Sequence, residues 1–187
     1  MRDETVAKNY AETLFELAQR HEGIDTFGEG IELVATLLDE NAKVRLFLET
    51  PRIAATEKKA VVRKVFGDLL PGHLVNFLLV VIDKRRQRLL RDIAREYHGL
   101  VDEHHNRVHV EVTLAGELDG GAMDELTEKL SSMLRKTAIP HVRVKPALLG
   151  GVVVRTGDTI YDGSLRRRLD GMRRRLLEAE LPSPDTA

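Results

Sequence analysis

Arg107-Val108-His109-Val110-Glu111-Val112-Thr113-Leu114-Ala115 changes the rhythm of the chain, because Val108, Val110, Val112 and Leu114 alternate with His109, Glu111 and Thr113 at the period of two that a half-buried strand requires. Everything before it repeats every three to four residues, and the residues after it mix both periods. A domain boundary is therefore expected near Asn106. The chain reads as mainly α with a small α/β part (α+β): an N-terminal six-helix bundle over residues 1–105, then a small domain with a short β-sheet and helices over 106–180. Residues 181–187, LPSPDTA, are expected to form a flexible tail. Composition shifts at the same point, since all eight aromatics but Tyr161 lie before Asn106, whereas eight of the fourteen glycines lie after it.

Upstream, the apolar residues Val6, Ala7, Tyr10, Ala11, Leu14, Phe15, Leu17 and Ala18 give a first helix from Asp3 to Arg20. They cover an arc of about 180°, wider than the roughly 100° a surface helix uses. Either the helix is buried on two sides, which its amphipathicity favours, or one edge is kept for a partner. Ile24, Phe27, Ile31, Val34, Leu37 and Leu38 predict a second helix that tolerates Gly28 and Gly30, and Val44, Phe47 and Leu48 predict a short third ended by Pro51. Thr56 is the expected N-cap of a fourth, through Val61, Val62, Val65 and Phe66. Leu74–Ile82 is apolar nearly all round and predicts a buried central helix in which Asn76 needs a hydrogen-bond partner. A sixth runs from about Arg86 to Glu103.

Downstream, Met123, Leu126, Leu130, Met133 and Leu134 predict a helix, HVRVK after Pro140 a strand, and LLGGVVVRTGDTIYDGS a hairpin. A last helix starts near Ser164, where Leu165, Leu169, Met172 and Leu176 fall on one narrow face among six arginines.

Several classes of chemistry are excluded or disfavoured. The 187 residues carry 29 basic and 30 acidic side chains, so no global field draws the chain to nucleic acid or an anionic membrane. There is no cysteine, hence no disulfide, thiolate nucleophile or thiolate metal site. The N-terminus does not read as a signal peptide, and no apolar run approaches the ~18 residues needed to cross a bilayer. The seven histidines lack metal-ligand spacing; the pairs Gly120-Gly121 and Gly150-Gly151 lack the rest of a phosphate loop. Ser164 sits where a helix begins and reads as a structural cap rather than a nucleophile. No catalytic, cofactor or metal residue is expected, and the reading moves to a binding or structural protein. Charge is uneven: residues 1–49 hold five basic against eleven acidic side chains, while Lys84–Arg91 and the C-terminal arginines are basic. Those arginines leave a nucleic-acid-binding protein as the alternative, although no aromatic lies among them to stack bases.

Four segments carry a resemblance. Ala7-Lys8-Asn9-Tyr10-Ala11-Glu12-Thr13-Leu14-Phe15-Glu16-Leu17-Ala18 resembles the opening of the delta subunit family of F-type ATP synthase, called the oligomycin-sensitivity-conferring protein in mitochondria. The family usually has arginine at Lys8 and a small residue at Thr13. Phe47-Leu48, Pro51, Ile53 and Lys58 are similar to a second family segment, and Asn76-Phe77-Leu78 with Arg85-Arg86 and Leu89-Leu90 to a third. LLGGVVVRTGDTIYDGSLRRRL is similar to the fourth and most specific.

The resemblance, covering residues 5 to about 178, implies a non-catalytic peripheral-stalk protein at the cytoplasmic face of the bacterial cell membrane, one copy per complex. It implies that residues 1–105 bind N-terminal segments of the alpha subunits, with a helix held between the first and fifth helices, and that residues 106–180 hold the b subunits. It contacts the membrane only through the b subunits. On this reading Ala7, Ala11, Leu14, Phe15 and Ala18 are expected at the alpha-subunit interface. Leu165, Leu169, Met172, Arg173, Arg174, Arg175 and Leu176 are expected at the b-subunit interface.

Overall fold

The computed structural model describes residues 2–21 and 23–178, without the side chains of Arg2 and Glu178. The expected flexible tail, 181–187, lies outside the described residues. Two compact units divide between His105 and Asn106.

The first unit holds α1 (Arg2–Arg20), α2 (Ile24–Glu40), α3 (Ala42–Glu49), α4 (Ala55–Phe66), α5 (Gly72–Asp83) and α6 (Leu90–His104), with a 3₁₀ turn at Gln87–Leu89 leading into α6. Their apolar faces meet in one aliphatic core around Leu14, Ile31, Leu74, Leu78, Val81 and Ile93. Tyr97 is the largest side chain fully enclosed there; its hydroxyl donates to the Ile24 carbonyl at 2.8 Å and its ring meets Phe15 edge-on at 5.9 Å. Burial, then the nearby Asp25 carboxylate, raises the pKa of that phenol well above its ordinary value. Gly28 and Gly30 have a packing purpose. A Cβ on Gly30 would lie 2.5 Å from Leu74 Cδ2, and one on Gly28 would lie 3.4 Å from Tyr97 Cε1, so the missing side chains let α2 settle close to α5 and α6.

Two expectations for this unit are corrected. Thr56 is not the N-cap of α4: the chain is still extended at Ala54, whose carbonyl accepts from Lys58 N–H, so Ala54 is the cap residue, without a side-chain bond, and Thr56 lies inside the first turn. Nor is α5 buried all round. His73, Asn76 and Val80 share an exposed side at helical spacing, so Asn76 meets its surroundings there rather than demanding a partner in the core.

The second unit contains β1 (Arg107–Leu114), α7 (Gly120–Leu134), β2 (Thr137–Val144), a 3₁₀ turn at Pro146–Leu148, β3 (Val152–Thr156), β4 (Thr159–Asp162) and α8 (Leu165–Glu178). The sheet order is β2-β1-β3-β4. β1 and β2 are parallel, joined by α7 as the crossover, and β3 pairs antiparallel with both β1 and β4. α7 begins at Asp119, whose Oδ1 accepts from Ala122 N–H at 2.8 Å. β2 starts three residues before Pro140 rather than after it; Pro140 stands opposite Val110 on an edge strand, where a residue without an N–H is tolerated. The core is small: Val110, Val112, Leu114, Leu130, Ala138 and Val154. The backbone before β3 is tight, because Gly151 has φ +77° and a Cβ there would lie 2.4 Å from the Gly163 carbonyl.

Candidate protein-interaction site

The site begins with α1. Ala7, Ala11, Leu14 and Ala18 point into the core and are fully buried, since this face of α1 packs against α6. Phe15 is half-buried between the rings of Tyr97 and His104. These five residues, expected to touch a partner, hold the bundle together; in this conformation the first four expose no surface for docking. The double burial indicated by the wide apolar arc is thus what the structure realises for them.

The other edge of the arc is different. Tyr10 and Leu17 stay half-buried and, with Asn9 and Thr13, form one wall of a groove whose other wall is His73, Asn76, Phe77 and Val80 of α5. Its volume is about 440 Å³ and its surface is mainly apolar. Tyr10 and Phe77 meet edge-to-face at 6.2 Å across the floor, and His73 stacks on His21 at 3.8 Å. The groove lies between the first and fifth helices and is lined by the face of α1 next to the one that carries Ala7, Ala11, Leu14 and Ala18. Sequence reasoning missed Asn76 and Val80 because a nearly continuous apolar run hides its exposed stripe; the spacing His73, Asn76, Val80 was the available signal. A second apolar depression, about 350 Å³, is formed between α2, α3 and α4, where Val61 and Val65 are exposed.

The second unit offers a bare helix. Ser164 is buried and its Oγ accepts from Arg167 N–H at 3.2 Å, so it caps α8 as expected. Asp162 Oδ1 accepts from Ser164 N–H at 3.0 Å; this bond first, then the Ser164 hydroxyl and the Arg167 charge, hold the Asp162 carboxyl below its ordinary pKa. Leu165 packs close to Gly150, but α8 then keeps its apolar residues in the open, with Leu169, Met172 and Leu176 exposed by 54%, 60% and 76%. Arg173, Arg174 and Arg175 are exposed beside them. A face of leucines exposed to this extent, with cations on either side, has the make-up of a docking helix.

The histidines work in pairs. His98 meets Glu32 at 3.0 Å, His105 meets Asp25 at 3.1 Å, and His109 shares a 2.7 Å contact with His141. Among the described residues, no group of three or more His, Asp or Glu side chains is placed to hold a metal ion, and no helix is long and apolar enough to cross a membrane.

A groove rooted in one helical core and a separate apolar, basic helix on a small sheet unit define a two-unit, mainly α protein whose exposed apolar surfaces suit contacts with other chains. The chain belongs to the ATP synthase delta (OSCP) subunit family, whose model matches residues 6–176. ATP synthase subunit delta of Gemmatimonas aurantiaca is 43% identical over 173 residues, covering 92% of this chain and 94% of that protein. The subunits delta of Desulforamulus reducens and Symbiobacterium thermophilum are 35% and 36% identical, over 92% and 96% of this chain and 95% and 97% of theirs. The fold is similar to that of a chain in the Toxoplasma gondii mitochondrial ATP synthase hexamer, with a TM-score of 0.64 at 18% identity over 91% of this chain and 97% of that one.

Proposed function

We propose that the chain serves as the delta subunit of F-type proton-translocating ATP synthase, a non-catalytic peripheral-stalk subunit that links the catalytic head to the membrane-anchored b subunits. The observation carrying this reading is end-to-end similarity: the family model spans 6–176, and a relative named ATP synthase subunit delta matches at 43% identity over nearly its whole length. By resisting the torque of the central rotor, such a stalk lets proton-driven rotation change catalytic sites instead of spinning the head. The family assignment supports this reading over the nucleic-acid alternative for the C-terminal arginines.

Each unit takes one partner. The six-helix bundle of residues 1–105 takes an N-terminal helix of an alpha subunit into the α1–α5 groove, where Tyr10, Leu17, Phe77 and Val80 receive its apolar face. The small unit of residues 106–180 holds the b subunits through α8, with Leu165, Leu169, Met172 and Leu176 supplying affinity while Arg173, Arg174 and Arg175 set register and on-rate. One copy serves each complex at the cytoplasmic face of the bacterial cell membrane, and the chain reaches the membrane only through b.

The test is calorimetric titration of the full chain with two peptides, the N-terminal segment of alpha and the C-terminal segment of b from the same organism. Val80→Glu puts a charge into the groove and is expected to weaken the alpha peptide at least tenfold while sparing b. Reversing Arg173, Arg174 and Arg175 together is expected to weaken b, reduce its salt dependence and spare alpha. If both folded variants bind both peptides as the parent does, the two surfaces are misassigned.

A further inference from the structure

Lys58 is the only charged side chain buried among the described residues, at 3% exposed. Its Nζ donates to the Leu48 carbonyl at 2.6 Å and the Thr50 carbonyl at 2.8 Å, closing the C-terminal end of α3. An ammonium group has three protons, so one donor remains. Lys58 lines a pocket of about 320 Å³ between the α3–α4 connection and the turn after α5. Arg85, Gln87 and Arg88 reach the same pocket from that turn, and Glu49 is the one carboxylate on its wall.

The charges there are unbalanced. Neither Arg85 nor Arg88 makes an ion pair or side-chain hydrogen bond with any described residue, unlike Arg86, which approaches Asp3, or Arg91, which pairs with Asp39. Arg85 stands at φ +57°, a conformation that non-glycine residues seldom adopt, in the turn after α5. Burial first, and then the Arg85 charge, lower the pKa of Lys58, so the two cations that line this pocket repel one another. Finally, Gln87 Oε1 is buried and has no hydrogen-bond partner among the described residues, an acceptor awaiting a donor.

We infer that this pocket binds an acidic residue of a partner polypeptide, its carboxylate taken by Arg85, Arg88 and the remaining Lys58 proton, and an adjacent peptide N–H donated to Gln87 Oε1. Each element of that ligand answers a feature of the site. Two guanidinium groups suit a planar carboxylate and bind it with charge-assisted hydrogen bonds. The orphaned oxygen calls for a neutral donor next to the anion, which a peptide supplies. Glu49 on the wall opposes a second negative charge, favouring a carboxylate over a phosphate dianion. The site is on neither the α1–α5 groove nor α8, so it stands apart from the two attachments proposed above.

The test is a ¹H–¹⁵N titration of the full chain at low salt with an acetylated, amidated pentaglutamate peptide, with pentaglutamine and inorganic phosphate as separate arms. The expected result is saturable movement of the Arg85, Gln87 and Arg88 amides with pentaglutamate, none with pentaglutamine, and weaker movement with phosphate. The double variant Arg85→Gln/Arg88→Gln changes two exposed residues without disturbing the Lys58 bonds, and is expected to weaken the peptide about tenfold with an unaltered circular dichroism spectrum. Gln87→Leu is expected to lower the preference for the peptide over phosphate. Absence of saturable movement at these amides, movement undiminished in the folded double variant, or phosphate binding as tightly as the peptide would each overturn the inference.

Discussion

The first unit keeps an apolar groove on top of a large closed core, whereas the second leaves the apolar face of its last helix almost bare. Tyr10 and Phe77, which floor the groove, pack against the same cluster that encloses Leu14, Leu74 and Tyr97. On α8, by contrast, the apolar residues from Leu169 onward are mostly exposed, and the six-residue core of the sheet unit does not draw on them. One surface is therefore shaped by folding of its own unit; the other is an apolar face that the described residues leave uncovered, as the proposed b-subunit contact requires. The difference teaches that burial separates two situations of the same residue types: leucine and alanine stripes on α1 build the core, whereas the leucine stripe on α8 stays exposed and is available to the proposed partner.

The comparison can be broken most forcefully at Tyr97. Tyr97→Ala empties the centre of the first unit and is expected to cost about 3–5 kcal/mol, read as a lowered urea midpoint and lost protection from hydrogen exchange in α1, α2 and α6. Tyr97→Phe retains the ring but leaves the Ile24 carbonyl without its donor, at about 1–2 kcal/mol. The phenol also gives a pH signature. Its folded pKa is raised above the ordinary value near 10, so above that pH the unfolded chain releases a proton that the folded chain retains. The contribution is complete below pH 10 and is lost as pH rises beyond it, so stability should fall less steeply above pH 10 in Tyr97→Phe than in the parent. A loss confined to the sheet unit would contradict the placement of the core.

Leu130→Ala makes the matching cut in the second unit. It removes the principal α7 side chain from a core of only six buried residues, with an expected cost of about 2–3 kcal/mol. Exchange protection should fall in β1, β2 and α7. Ser164→Ala ranks below it: losing the Oγ acceptor for Arg167 N–H costs about 1 kcal/mol and frays the start of α8, seen as reduced helicity and faster exchange at Arg167.

Much of this was legible in the chain itself, for identifiable reasons. β1 spans Arg107–Leu114, as its alternation predicts, because one face of the sheet is buried and the other is not. Ser164 caps α8 because a hydroxyl just before a helical pattern has few other uses. What failed involved long-range packing. The parallel pairing of β1 with β2 joins residues about thirty positions apart, and no local pattern distinguishes it from an antiparallel partner. The α1 face was hard to read because a wide apolar arc does not say which edge other helices will cover: Ala7, Ala11 and Leu14 are buried in the bundle, where α1 packs on α6, while Tyr10 and Leu17 line the groove. Lys58 had a place in the family resemblance, but the two carbonyls it binds are contributed by residues 48 and 50 across a turn, a relation visible only in three dimensions.

The smallest expected effect on stability is at Leu176, and it gives the sharpest test of the contrast between the units. With 76% of its surface already exposed, Leu176→Ser loses almost no burial on folding, so the unfolding midpoint should stay within about 0.5 kcal/mol of the parent. The same truncation on a face completed by a partner removes apolar area that is buried only in the complex. Binding of a peptide from the C-terminus of b should therefore weaken several-fold, chiefly through faster dissociation, while the alpha peptide is unaffected. Leu14→Ser, on the α1 stripe, should do the reverse, unfolding the first unit because that side chain is fully enclosed in the free protein. If Leu176→Ser destabilised the free chain as Leu14→Ser does, α8 would be covered by the protein's own residues in solution. Its leucines would then belong to the core rather than to a docking face.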